Sequence, residues 1–166
     1  MTAMRAPLIS HPSSPLAFEY PADWILVTYP PLQPGGAFYD LHTGISALES
    51  IPREDTGLVT YKPGDFSLRL LAYNEGWAGS AYQTVRNEAQ RLHQYHYTVS
   101  EPARITLGSR EVAQAIFSTR ARDGAFIAFS LDDRRWVLAS LSAAVGHLDA
   151  FFPAAYAVLK TVRAHG

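Results

Sequence analysis

Two pairs of side chains have the types and spacing to do chemistry. Asp40 and His42 lie two apart in a stretch, 37–41 and its neighbour, whose composition predicts a short strand. Alternate residues of a strand share a face, so this carboxylate and imidazole point the same way. With Glu54 and Asp55 further along, they supply a carboxylate–imidazole cluster, the raw material of general acid–base work. His93 and His96 are three apart on a predicted helix, close enough on its surface to share a metal ion. Each pair also has an ordinary reading. Loops are polar in any case, and a histidine near a helix C-terminus is favoured by the dipole. Two imidazoles with no third ligand at a diagnostic spacing do not make a metal motif.

Other motifs fail on context. Gly35-Gly36 is followed by neither Lys-Ser/Thr nor a helix, so it is not a phosphate loop. Ser109 follows Gly108 in a strand–turn–strand pattern, not the strand–turn–helix of a nucleophile elbow. Without cysteine there is no disulfide framework, thiolate nucleophile or thiolate metal site. No catalytic, cofactor-binding or metal-ligating residue is assigned on these grounds. The expectation is a protein that is not an enzyme and needs no cofactor.

The chain has 166 residues, enough for one domain with a real core. Hydrophobic residues make up 48% and charged residues 17%, a globular composition. Fourteen basic residues against fifteen acidic ones give a formal net charge of −1, no footprint for nucleic acid or an anionic membrane. No run approaches the ~18 apolar residues of a membrane span. The first fifteen residues have no apolar stretch of leader type, and the expectation is a cytoplasmic protein.

The elements that must position these residues are legible from period and punctuation. Residues 1–15, rich in Pro and Ser, read as a flexible arm. Residues 16–20 and 24–29 read as strands separated by Pro21-Ala-Asp23. Residues 30–56, broken by Pro30, Pro31, Pro34, Gly35 and Gly36, form an irregular insert, with 57–61 a further short strand. The stretch 66–73 alternates as a half-buried strand. Ser80 with Gln83 forms a capping-box pattern ahead of an amphipathic helix over 80–95. Four strands then follow in the stretch 103–144, joined by short turns at Gly108-Ser109, Asp123-Gly124 and Asp132-Asp133-Arg134. They predict an antiparallel meander. A last helix spans 147–163, and Pro153, inside its apolar stripe, must sit in or near the first turn or else kink the helix. Strands grouped in runs predict an α+β class: a single antiparallel sheet, with helices 80–95 and 147–163 packed on it.

Most aromatic residues fall on core positions. Trp77, between Gly76 and Gly79, does not: it reads either as a side chain folded over the helix start or, with Phe38, Tyr39 and Tyr61, as an aromatic contact patch.

The layout resembles a known group. FEYPADW (Phe18–Trp24) opens it, and a strand leads into the helix at 80–95. YTVSEPARITLGSREVAQAIFS (Tyr97–Ser118), RRWVLASLS (Arg134–Ser142) and LKTVR (Leu159–Arg163) complete it. Together these resemble the PsbP-like superfamily, over residues 16–163. The resemblance implies an αβα sandwich around an antiparallel sheet and mostly non-enzymatic work in docking to other proteins. It carries no shared site motif, so no family site residue transfers to this chain. The expected function is a protein-interaction or chaperone-like module, with a protein or peptide partner, a homodimer among its forms, and neither nucleic acid nor a membrane span. The alternative is a lipid-type carrier with an apolar pocket between the sheet and the C-terminal helix.

Overall fold

The computed structural model describes residues 8–10, 16–21, 24–29, 37–43, 65–73, 80–95, 97–120, 122–132 and 135–164. The expected strand at 57–61, most of the insert 30–56 and the turn residues Asp133 and Arg134 lie outside the described residues. The strands are β1 (Leu8–Ser10), β2 (Leu16–Glu19), β3 (Ile25–Tyr29), β4 (Ala37–His42), β5 (Phe66–Tyr73), β6 (Thr98–Val99), β7 (Ala103–Leu107), β8 (Arg110–Ser118), β9 (Asp123–Ser130), β10 (Trp136–Ala143) and β11 (Arg163–Ala164). The helices are α1 (Ala81–His93) and α2 (Phe152–Thr161), the latter preceded by a 3-10 turn at Leu148–Ala150.

The main sheet runs β3-β4-β5-β10-β9-β8-β6, with β7 also paired to β8. Each pairing is antiparallel. Strands β7 to β10 form the expected meander, because two- to five-residue turns leave consecutive strands nowhere to go but alongside one another. Gly108 makes the first of these turns with φ +63. Gly124 is required for space. A Cβ there would run into the Phe117 ring and lie 2.5 Å from the Leu141 carbonyl oxygen.

The sheet is covered on both faces. On one, Leu68, Leu70, Ile127, Phe129, Val137, Ala139 and Leu141 pack with Val158 and Leu159 of α2. On the other, Ala113, Ala115, Phe117, Phe126, Ala128 and Leu138 pack with Val85, Ala89 and Leu92 of α1. Strands β9 and β10 therefore read as nearly continuous apolar runs, since both sets of alternate residues are buried.

Two expectations are corrected. The sheet is not single: β2 pairs with β1 on one side and β11 on the other, forming a separate three-stranded sheet. Pro21 ends β2, and the Trp24 amide bonds back to its carbonyl, so the chain turns before β3 instead of continuing one strand. Leu8–Ser10, inside the stretch read as an arm, supplies β1. The last helix is also shorter than 147–163. Pro153 stands in its first turn, as its missing N–H requires, and Val162 at φ −64, ψ 128 ends it in extended backbone. Among the described residues, no helix is long and apolar enough to cross a membrane.

Candidate functional site

Strands β4 and β5 assemble the cluster that holds Asp40 and His42. Their register sets Asp40 opposite Arg69 and His42 opposite Ser67. On the other side of β5, β10 sets Ser140 opposite Arg69 and Ser142 opposite Ser67. Alternation sends Tyr39 and Leu41 into the α2-side core, so Asp40 and His42 stand on the reverse face. The Arg69 guanidinium donates to both oxygens of Asp40, from Nε at 2.9 Å and from its terminal nitrogen at 3.2 Å. Asp40 is only 2% exposed, and this two-pronged pairing is what makes so deep a carboxylate tenable. The His42 Nε2 lies 4.0 Å from Asp40 Oδ2, the oxygen that accepts from the Arg69 terminal nitrogen, too far for a hydrogen bond.

His42 is 3% exposed, and neither of its ring nitrogens has a hydrogen-bond partner among the described residues. Burial drives its pKa below the usual histidine value. Asp40 opposes that shift, and Arg69 adds to it. A general base must reach its substrate's proton within about 2.6–3.2 Å. This imidazole is enclosed, its neighbouring carboxylate is engaged by arginine, and no hydroxyl bonds to it among the described residues. The arrangement is a buried ion pair beside a neutral histidine. Glu54 and Asp55, expected to complete the cluster, lie outside the described residues.

The expected aromatic patch is corrected at Tyr39. It is 3% exposed, and its ring meets Phe18 edge-on with centroids 5.5 Å apart. Parity on β4 forces this. Residues 39 and 41 share the core face, so Tyr39 offers no surface. Burial pushes its hydroxyl pKa up to about 12, offset slightly by the nearby main chain of Leu16, though no well-formed hydrogen bond reaches the hydroxyl. Phe38 is described only as a main-chain position of β4; Tyr61 and Trp77 lie outside the described residues. Of the histidine pair, His93 is exposed in the last turn of α1 and His96 lies outside the described residues. No group of three metal-ligating side chains occurs among the described residues.

Exposed apolar side chains gather elsewhere. Tyr95 is 61% exposed and Tyr97 38%, with ring centroids 6.3 Å apart. Val145 and Ile116 are also exposed. Register brings Tyr97 and Val145 to one end of the sheet: Thr98 faces Ser118, Ser118 faces Asp123, and Asp123 faces Ala143. The helical spacing, which runs on to residue 96, gave no sign of this; the helix ends at His93, and Leu92 is its last buried residue.

A groove of about 300 Å3 lies at the start of α1, lined by Ser80, Tyr82, Arg104, Glu111, Val112 and Ser130. Arg104 rests over the Tyr82 ring at 4.4 Å. The groove is open and of mixed polarity, and is not the apolar space between sheet and C-terminal helix that a lipid carrier would need. Between the sheet and that helix, the rings of Phe66 and Phe151 stack at 4.8 Å, and Leu70, Leu141 and Leu159 are fully buried.

No family model matches the chain, and no curated protein does. Among solved structures, it is similar to the solution structure of cyanobacterial PsbP (CyanoP) from Synechocystis sp. PCC 6803. The TM-score is 0.61 at 11% identity, covering 99% of this chain and 94% of that one. A crystal structure from Bacteroides thetaiotaomicron aligns at TM-score 0.45 and 12% identity, over 92% of this chain and 47% of that one. The first similarity establishes the architecture: a PsbP-like fold, as the layout of the sequence led one to expect.

Proposed function

We propose that the chain is a non-catalytic protein-interaction module of PsbP-like fold. One contrast carries this reading: the Asp40–His42 pair is sealed in, while two large aromatic side chains are left outside. Asp40 and His42 are almost wholly buried, and Arg69 occupies both Asp40 oxygens. Tyr95 and Tyr97, by contrast, stand in solvent side by side. Tyrosine is among the residues that dominate protein–protein binding energy, because its ring buries large area at low entropic cost. The close packing of Phe66, Phe151, Leu141 and Leu159 under α2 favours this reading over a lipid-type carrier.

The test is capture from an extract of the native host, followed by mass spectrometry, with wild type beside Tyr95→Ser/Tyr97→Ser. A protein retained by wild type and lost from the variant is the expected result. A co-purifying lipid with no protein above background would overturn the proposal in favour of a carrier.

A further inference from the structure

We propose that the corner built by the end of α1, β6 and the β8–β9 turn docks an acidic segment of a partner protein, one that also carries an apolar or aromatic side chain. This rests on the interaction-module reading and gives that module's partner its chemistry. The apolar half of the corner is the Tyr95–Tyr97 pair, whose rings are 6.3 Å apart. The charged half follows from register. Thr98 faces Ser118, which places Tyr97 beside Thr119 and the turn carrying Arg120 and Arg122. Arg120 is exposed, and the Arg122 guanidinium lies 5.9 Å from the Phe117 ring centroid. Neither arginine has an ion-pair partner among the described residues.

The acidic groups nearby do not neutralise them. Glu88 is paired with Arg91 at 2.9 Å, and that pair cancels. Asp123 accepts from the Ser118 hydroxyl at 2.7 Å and from the Gly146 amide at 2.8 Å, so both its oxygens are engaged by the fold. Glu101 lies past the other end of β6. Two arginines against one aspartate leave the corner net positive around two exposed rings. Arginine takes carboxylates with paired hydrogen bonds, and arginine with tyrosine is the composition of interface anchors. The whole chain carries a formal net charge of −1, and the basic groups form a spot, not the stripe that tracks a nucleic-acid backbone. A protein carboxylate is therefore the occupant that fits.

The experiment places a photo-crosslinking benzoylphenylalanine at position 97 in the full chain, irradiates it in host extract, and sequences the crosslinked peptide. A segment of net negative charge is expected, with the yield cut about tenfold or more in Arg120→Glu/Arg122→Glu and falling as salt rises. Arg120→Glu alone, at an exposed turn position, gives the same direction of change should the double variant unfold. A neutral or basic segment overturns the inference, as does nucleic acid, a second copy of this chain, or a yield indifferent to charge reversal. If a Tyr95/Tyr97-dependent partner is still captured in those cases, the interaction module stands without the acidic partner. If wild type captures no protein at all, both fall.

Discussion

Arg110, at the start of β8, reaches the end of α2 and donates a hydrogen bond to the carbonyl oxygen of Leu159 at 2.6 Å. Its second terminal nitrogen donates to the Val162 carbonyl, and its plane rests 4.4 Å above the Phe129 ring. The last carbonyls of a helix have no partner within it, and a cation there also meets the negative end of the dipole. One side chain thus caps α2 and fastens it to the sheet.

Arg110→Ala should cost about 1.5–3 kcal/mol, the range for hydrogen bonds to a charged group. In a chain of this size that is a fall of roughly 5–10 °C in Tm. Arg110→Lys should recover only part of it, since an ammonium cannot present the planar fork or stack as well on Phe129. Thermal unfolding followed by circular dichroism checks both; equal Tm values for Ala and wild type would remove the cap from the account.

Removing Arg69 leaves the Asp40 carboxylate buried without its main counter-charge. Arg69→Met is expected to destabilise by about 3 kcal/mol, the low end for a broken buried pair, because the arginine side chain is itself 35% exposed and partly screened. Asp40→Leu/Arg69→Met should be much closer to wild type, since no charge is then stranded. Urea unfolding of both single variants and the double gives the coupling. A double variant no better than Arg69→Met would contradict this.

His42 makes stability depend on pH in a definite direction. Its folded pKa is lowered, chiefly by burial, so the native state resists a proton that the unfolded chain accepts at about 6.5. Stability is therefore whole above about pH 6.5 and declines as pH falls toward the folded value. His42→Leu should flatten that part of the curve. At pH 7 it should cost little, because the imidazole has no hydrogen bond among the described residues to lose. Denaturant midpoints between pH 5 and 8 decide the matter, and an unchanged slope in the variant would place the titration elsewhere.

Gly124→Ala should destabilise by about 1–3 kcal/mol through overpacking. Shortening the ring with Phe117→Leu should relieve only part of this. The Leu141 carbonyl oxygen, 2.5 Å from the new methyl position, belongs to the neighbouring strand and cannot swing away. Full recovery in the double variant would show that the ring alone sets the limit.

The sequence by itself determined the elements that depend on near neighbours. Ser80 at the start of α1 accepts from the Gln83 amide at 3.0 Å, as the capping pattern requires, although the Gln83 side chain turns to Asn87 instead of back to the cap. The meander followed from short turns between period-two runs, and Pro153 sits where a missing N–H does no harm. The pointing of Asp40 and His42 to one side was legible for the same reason, since strand parity is local. Only the tertiary structure decided which side of the sheet is covered by what. The two-residue strands β6 and β11 have no period to read, and they exist because β8 and β2 offer them an edge. Tyr39 is withdrawn from the surface, with Phe18 of β2 packed edge-on against its ring. Arg69 came to Asp40 across 29 residues of chain, and Arg110 to Leu159 across 49. Such pairings are fixed by register and packing between distant segments, and a one-dimensional pattern contains no term for them.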